Sequence, residues 1–406
     1  MTQTPWLLPP FHSTCRLNPD RSRPPQTQPH TARNSMFTDL QRFPRFVAAF
    51  EEGVTRGLHT GLQIYVSVDC VPLLSAGLGY AAPGKLLTVD TLMPWRSAGK
   101  PLTALLLLKL LSQPDQQLSQ PIADWLPDAR YSDKADLTLH ELLTHTSGFP
   151  TVETGWPHKT WNESISTILR TPCQLPRGTA AYHPQSSWFL LAEIIRVLTA
   201  NKTPQMTSFA DILQHRLLIP LGMTSSSCGI QQPHDPQTAI RLPQLYERQQ
   251  GKLEISPASV PPWITSPSAG GNLRGPVSEL GAFYEMLLRH GKTSRDEPFV
   301  SSHLVQFMTS RHRAGMLDQT FQHVVDFGLG IICNSSIYGP RTVPYGFGTR
   351  ASDAAFGHGG AQCSIGFCDP EKQLVVAWAA NGFCGEAQHQ RRNQLLNDAI
   401  FEDLGF

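Results

Sequence analysis

Segments with the composition of β-strands lie near both ends of this 406-residue chain, whereas its middle has the spacing of helices. Apolar, β-branched runs predict strands at 61–68, 71–80, 327–333, 362–368 and 374–380. Asp69 and Cys70 separate the first two runs and predict a tight hairpin. Strands at both ends with helices between them imply one antiparallel sheet formed by the terminal parts of the chain, so the fold class is α+β.

Apolar residues at helical spacing predict a first helix over 39–57 and a last one over about 386–404. Further helices are predicted at 97–111, 138–144, 161–169, 187–198, 208–218, 276–290 and 301–309. Residues 229–268 contain many prolines and are predicted to be loop. We therefore expect one folded domain over 36–404, with a sheet part at about 39–96 and 325–404 and a helical insertion at about 97–324.

The first 35 residues are rich in Pro, Thr, Gln, Arg and His and have no apolar periodicity. Such a composition cannot repay the entropy of ordering, so residues 1–35 are predicted to be disordered. Because Met36 follows directly and the first patterned segment begins after it, we hypothesise that Met36, and not Met1, is the true start.

The 33 Lys and Arg residues nearly balance the 32 Asp and Glu residues, and no basic run stands out. This gives no electrostatic reason to expect a nucleic-acid or membrane partner, and a small, largely uncharged substrate fits better. The eight cysteines have no C-x-x-C spacing, and no signal peptide is evident at the N-terminus. We expect reduced thiols in a cytoplasmic protein.

Ser97 and Lys100 form an S-x-x-K tetrad at the start of an apolar helical segment. Positions three apart lie on the same face of a helix, so the amine reaches the hydroxyl and the pair combines a nucleophile with a base. Pro101 is tolerated only in the first turn and fixes the start of the helix near Ser97. A pattern with only two fixed residues occurs by chance about once or twice in a chain of this length. The tetrad alone therefore does not identify a catalytic site.

Two further segments supply the chemistry that a serine nucleophile needs. The glycine-rich run 356–361 precedes a strand and lets a carbonyl approach the backbone, so the N–H groups of Ala361 and Ser97 are candidates for an oxyanion hole. Tyr182 precedes a helix with a buried face, a position from which its phenol can point into a cleft. By residue type alone, Tyr182 is equally an ordinary half-buried aromatic.

These elements together resemble the serine β-lactamase and penicillin-recognising family, and specifically its class C, esterase-like branch. The resemblance extends over residues 40–404 and rests on S-x-x-K at Ser97 to Lys100, on Tyr182 for the Y-x-N tyrosine and on His358-Gly359-Gly360 for the K-T-G triplet. Three flanking segments agree as well, at 137–150, 219–223 and 268–283.

The resemblance implies a catalytic domain of the β-lactamase/transpeptidase type that works through an acyl-enzyme. Ser97 would attack a carbonyl, Lys100 and Tyr182 would share proton transfer, and His358, Gly359 and Gly360 would bind substrate. Which of Lys100 and Tyr182 is the first base is left open. The resemblance implies no cofactor, and the histidines have no recognisable metal-ligand pattern.

Two departures from the family pattern favour a carboxylic ester over a β-lactam. Pro184 stands where Y-x-N has its Asn, so the side-chain amide is lost unless Gln185 or Ser186 replaces it. His358 stands where K-T-G has a lysine and is mostly neutral at pH 7. Alternatives that stay open are a β-lactamase, a D-amino-acid peptidase, an acyltransferase and an acyl-binding sensor without turnover.

Three competing motifs are set aside. His140 and His145 are one residue too far apart for H-E-x-x-H and cannot share a metal on one helix face, so both are expected to be structural. The glycines at 77–79 follow a strand without the helix that a dinucleotide site needs. No G-x-S-x-G occurs, which excludes the nucleophile elbow of α/β-hydrolases. Oligomeric state cannot be predicted from this sequence.

Overall fold

A seven-stranded sheet, with strand order β11-β12-β13-β14-β1-β2-β3, forms the centre of the computed structural model, which describes residues 39–200, 205, 208–339 and 346–406. All of its pairings are antiparallel, and β1 lies between β2 and β14 with Ile64 opposite both Ala76 and Trp378. The strands come from both ends of the chain, so the predicted α+β class is confirmed. The disorder predicted for 1–35 and the start at Met36 lie outside the described residues.

The described strands, in chain order, are β1 (Gly61–Val68), β2 (Val71–Ala82), β3 (Lys85–Leu86), β4 (Met93–Pro94), β5 (Ser227–Cys228), β6 (Tyr246–Gln249), β7 (Lys252–Ile255), β8 (Leu273–Gly275), β9 (Leu317–Asp318), β10 (His323–Val324), β11 (Ile332–Cys333), β12 (Phe356–Gly360), β13 (Ser364–Asp369), β14 (Leu374–Ala380) and β15 (Gly382–Phe383). The α-helices are α1 (Pro44–Thr55), α2 (Lys100–Leu110), α3 (Pro114–Gln117), α4 (Leu139–Leu143), α5 (Trp161–Arg170), α6 (Ser186–Ala200), α7 (Phe209–Leu213), α8 (Pro236–Ala239), α9 (Val277–Leu288), α10 (Ser302–Thr309) and α11 (Glu386–Leu404).

The two faces of the sheet are covered by different helices, because side chains alternate along each strand. Ile64 and Val66 of β1 belong to a core shared with α1 and α11, whereas Tyr65 between them points into the core formed with α9. The second core continues into α2 and α6 of the helical part. Helix α2 begins where the helical part meets strand β12 of the sheet.

Two sequence predictions were wrong about strands, and one strand was missed. The run 327–333 forms a strand only at Ile332–Cys333, and the glycine-rich 356–360, expected to precede a strand, is itself β12. Glycine has no side chain and therefore leaves no apolar alternation to detect. The loop predicted at 229–268 contains the β6–β7 hairpin, whose strand residues are mostly polar and whose turn has Gln250 at a positive φ of 47°.

The predicted hairpin at Asp69 and Cys70 is present, with positive φ angles of 51° and 57°. The helix predicted over 208–218 is α7 followed by one π-helical turn over 214–218. Among the described residues, no helix is both long and apolar enough to cross a bilayer. The proposed boundaries between sheet part and helical insertion stay a prediction.

Candidate active site

Ser97 lies in a 3₁₀ turn, Arg96–Gly99, immediately before α2. Side chains three positions apart eclipse each other in a 3₁₀ turn, which brings the hydroxyl of Ser97 under the amine of Lys100. Two bonds anchor the residue before this turn: Trp95 N–H donates to the Leu273 carbonyl (2.9 Å), and Ser364 Oγ donates to the Trp95 carbonyl (2.6 Å). The nucleophile candidate is thus tied to the sheet and to the helical part.

Lys100 is fully buried and its Nζ lies 2.9 Å from Ser97 Oγ. The same Nζ donates to the carbonyls of Pro184 (2.7 Å) and Gly270. All three partners are neutral, so burial without a carboxylate lowers the pKa of Lys100 well below its ordinary value of 10.5. A neutral amine donates two hydrogen bonds, which the two carbonyls accept, and its lone pair then faces Ser97.

Glycine at position 270 allows this contact. A Cβ there would lie 2.9 Å from the Pro184 oxygen and 3.0 Å from Cβ of Trp188, closer than side chains approach. Only glycine therefore lets the 268–271 loop bring its carbonyl to Lys100 alongside that of Pro184. The amine is placed by residues that are 84 and 170 positions away in the chain.

Tyr182 lies beside this pair and is 6% exposed, with its ring centre 5.3 Å from Lys100 Nζ. Its ring contacts His145 and Phe321, each with ring centres 4.6 Å apart. Burial raises the pKa of Tyr182 above its ordinary value of 10.0, against an opposite effect of the nearby Ser97 hydroxyl. Within the described parts of the chain, Tyr182 Oη has no protein group near it as a hydrogen-bond partner other than the Ser97 hydroxyl, and it is a neutral phenol that can donate.

His358 lies on β12, is 1% exposed and faces Tyr182 with ring centres 5.9 Å apart. Its Nδ1 donates to the Gly359 carbonyl (2.7 Å), so its Nε2 carries the lone pair. Burial, with a smaller contribution from Lys100, lowers the pKa of His358 to about 3. The neutral state expected from sequence is therefore enforced by the site.

The end of β12 packs directly against the segment that carries Ser97. A Cβ at Gly360 would lie 2.2 Å from the Trp95 oxygen and 3.1 Å from Cβ of Arg96, so a larger residue would separate the two. Gly359 pairs with Ile365 of β13, and Ala361, exposed, is the first residue of the turn that follows. This brings the strand end of Gly359, Gly360 and Ala361 to the nucleophile turn.

The residues that follow Tyr182 differ in whether their polar groups are already hydrogen-bonded within the protein. The Pro184 carbonyl is used by Lys100, and Ser186 Oγ donates to the Phe149 carbonyl (2.9 Å), so neither replaces the missing amide. Gln185 is half-buried, and its Oε1 has no partner among the residues described. Of the two candidate replacements, Gln185 is the one whose side-chain oxygen is not already bound within the described residues.

Several neighbours of Tyr182 were not found from the sequence. Asp318, Thr320 and Phe321 contact its backbone or ring, although they lie 136 or more positions further along the chain. His145, expected to be structural, packs on the Tyr182 ring and accepts from His183 N–H through Nδ1 (3.0 Å). A polar turn without periodicity carries no signal of such a contact. The described residues contain no group of three or more His, Cys, Asp or Glu arranged to hold a metal ion.

Comparison with known proteins identifies the family. The family model described as Beta-lactamase matches residues 46–400. Esterase EstB of Burkholderia gladioli is 38% identical over 76 residues, which is 18% of this chain and 19% of EstB. The match thus spans about a fifth of the length of this curated relative.

Solved structures with the same fold cover nearly the whole chain. EstCE1, titled a hydrolase with promiscuous acyltransferase activity, has a TM-score of 0.72 at 16% identity and covers 89% of this chain and 99% of its own. A penicillin-binding protein homologue from Caulobacter crescentus has a TM-score of 0.68 at 21% identity, covering 91% and 99%. A family VIII carboxylesterase has a TM-score of 0.67 at 21% identity, covering 89% and 97%. These findings confirm the resemblance and the fold expected from sequence, and the chain belongs to the beta-lactamase family.

Proposed function

We propose that this protein hydrolyses small carboxylic esters through an acyl-enzyme on Ser97. The observation that carries the proposal is the buried Lys100 amine, which has only neutral partners and lies 2.9 Å from Ser97 Oγ. An amine that is neutral at physiological pH is a competent base, whereas a permanently charged one is not.

The opposite pKa directions favour Lys100 as the first base. Burial lowers the pKa of Lys100 and raises that of Tyr182, so the amine is ready to accept a proton and the phenol to donate one. In acylation, Ser97 Oγ bonds to the ester carbonyl carbon while its proton passes to Lys100 Nζ. The N–H groups of Ser97 and Ala361 donate to the oxyanion that forms.

Tyr182 completes the cycle as the acid. When the bond between carbonyl carbon and alcohol oxygen breaks, the Tyr182 hydroxyl protonates the leaving oxygen and regains a proton from the Lys100 ammonium. Water then adds to the acyl carbon and gives its proton to Lys100, and Ser97 leaves with that proton. The products are a carboxylic acid and an alcohol, and both side chains return to their starting state.

The choice of an ester over a β-lactam rests on His358 and Pro184. A histidine with a pKa of about 3 offers no positive charge to a substrate carboxylate, and Pro184 has no amide to hold a substrate amide. The similarity to Esterase EstB and to a family VIII carboxylesterase supports the same choice. We further propose a small-molecule substrate, no cofactor, no nucleic-acid or membrane partner and a cytoplasmic location.

Labelling with a fluorophosphonate probe and mass spectrometry tests the mechanism. We expect an adduct on Ser97, absent in Ser97→Ala, and hydrolysis of p-nitrophenyl butyrate at least about 100-fold slower in that variant. Ser119→Ala, an exposed serine outside the site, is the matched control and should retain both.

Three of the alternatives predict different results when the assay also includes nitrocefin and an added alcohol. No adduct on Ser97 would contradict the hydrolase proposal, and an adduct without turnover would indicate an acyl-binding sensor. Faster turnover of nitrocefin than of p-nitrophenyl butyrate would indicate a β-lactamase. A product joined to an added alcohol, in place of free acid, would indicate an acyltransferase.

A further inference from the structure

Tyr182 lies in a segment that is neither helix nor strand, so its backbone groups must find partners elsewhere. The N–H of the next residue, His183, donates to His145 Nδ1, and Ala181 N–H donates to the His145 carbonyl (both 3.0 Å). The backbone groups of Tyr182 itself are bound by a different element, the β9–β10 hairpin. The hairpin therefore holds the backbone of Tyr182, while its ring also packs on His145.

The hairpin binds both polar groups of the Tyr182 backbone. Asp318 Oδ1 accepts from Tyr182 N–H (3.0 Å), and Thr320 Oγ1 donates to the Tyr182 carbonyl (3.0 Å). Asp318 Oδ1 also accepts from the N–H groups of Thr320 (2.9 Å) and Phe321 (3.1 Å), so one carboxylate oxygen holds the turn and the tyrosine together. The Phe321 ring stacks on the Tyr182 ring at 28°.

A buried ion pair fixes the hairpin in turn. Arg313 Nη2 lies 2.9 Å from Asp318 Oδ2, and their side chains are 1% and 0% exposed. The same guanidinium donates to the carbonyls of Thr144 (3.0 Å) and Val325 (3.0 Å), which joins the hairpin to the turn after α4. A buried ion pair adds little to stability compared with an apolar pair of similar size. The role of this ion pair is therefore better explained by the orientation that it gives to the hairpin.

We propose that the β9–β10 hairpin is a positioning element for Tyr182, in which the Thr320 hydroxyl and the Asp318 carboxylate set the direction of the phenol toward the leaving oxygen. This inference rests on the proposed function. Apart from the nearby Ser97 hydroxyl, no group among the described residues holds the phenol oxygen, so its direction depends on how its backbone and ring are held. Displacement of a reacting group by about 1 Å can cost about 100-fold in rate.

Thr320→Val tests this role, because valine keeps the shape and removes the hydroxyl. The measurement is kcat/KM for two butyrate esters, of p-nitrophenol and of ethanol, since only the ethoxide needs a proton in order to leave. We expect about a 10- to 100-fold loss with ethyl butyrate and less than about threefold with p-nitrophenyl butyrate. Thr320→Ser keeps the hydroxyl and should restore the ethyl ester rate.

Thr309→Val is the matched control, since Thr309 Oγ1 also donates to a backbone carbonyl, that of Val305 (2.9 Å), but at the end of α10. It should leave the ratio of the two esters unchanged. Phe321→Leu is a second variant at the hairpin and should also slow the ethyl ester selectively.

Three outcomes would overturn the positioning role and leave the proposed function intact. They are an equal loss of rate with both esters, an unchanged ratio of the two rates in both hairpin variants, and the same change of that ratio in Thr309→Val. A wild-type protein that hydrolyses neither ester and does not react at Ser97 would contradict the proposed function, and the positioning role with it.

Discussion

Lys100 and Lys134 are both fully buried, yet their surroundings are opposite in kind. Lys134 Nζ lies 2.6 Å from Asp133 Oδ1 and also donates to the Thr171 carbonyl. Lys100 Nζ has a serine hydroxyl and two carbonyls as its partners and no carboxylate. One lysine thus has a carboxylate partner, and the other is buried among neutral groups.

The difference shows which of the two buried lysines is suited to act as a catalytic base. Removing an ammonium from water is costly unless an anion compensates, and without one the lysine sheds its proton. Lys134 has such an anion and joins the segment around Asp133 to Thr171, which is a structural role. Lys100 does not, and its neutral form is placed against a hydroxyl, as a catalytic base must be.

The largest expected difference is in activity. Lys100→Met should lower kcat/KM for p-nitrophenyl butyrate at least about 100-fold, because it removes the base and keeps the apolar stem. Lys134→Met should stay within about threefold of wild type, because it changes no group of the proposed catalytic set. Comparable losses in the two variants, with both folded by circular dichroism, would show that the contrast between the lysines is not functional.

The pH dependence of kcat/KM should follow the neutral amine. Activity is present above the folded pKa of Lys100 and is lost as pH falls through it, by about tenfold for each unit further down. Because burial lowers that pKa well below 10.5, the acid limb should also lie well below 10.5. An acid limb near 10.5 would contradict the role of Lys100. Lys100→Arg should be inactive throughout, since a guanidinium does not deprotonate in this range.

Stability should respond in the opposite order to activity. Lys134→Met leaves Asp133 without its cation and should lower the free energy of unfolding by about 1–3 kcal/mol, measured in urea. The loss is limited because the Asp133 side chain is 46% exposed. Lys100→Met removes the desolvation cost of a buried amine without an ionic partner, which offsets the loss of its hydrogen bonds to the Pro184 and Gly270 carbonyls, so it should be the less destabilising of the two substitutions. Greater destabilisation by Lys100→Met would reverse the comparison.

The smallest expected effect concerns Gln185. If its amide contacts the substrate, Gln185→Ala should raise KM by about 2- to 10-fold and leave kcat little changed. Gln373→Ala, an exposed glutamine in the β13–β14 turn, is the control and should change neither. An unchanged KM in Gln185→Ala would remove Gln185 from the substrate site.

The apolar elements of the fold were predicted well because their buried side chains form apolar runs or helical spacings in the sequence. The bounds predicted for the last helix agree with α11, Glu386–Leu404, and the first two strands agree with β1 and β2. β12 was missed because three of its five residues are glycine, and the β6–β7 hairpin because its pairing depends on the backbone. Prediction from apolar patterns depends on side chains, so a strand without such a pattern is not predicted.

The sequence by itself determined the contact between Ser97 and Lys100, since a helical turn closes over three residues whatever surrounds it. It also determined, through the family motifs, that Tyr182 and the 358–361 strand end belong near that pair. Only the tertiary structure decided that Lys100 is buried among neutral acceptors, because the carbonyls of Pro184 and Gly270 come from distant segments. The same holds for the hairpin that binds Tyr182. The protonation state of a buried group depends on everything packed around it, and such contacts have no local sequence signature.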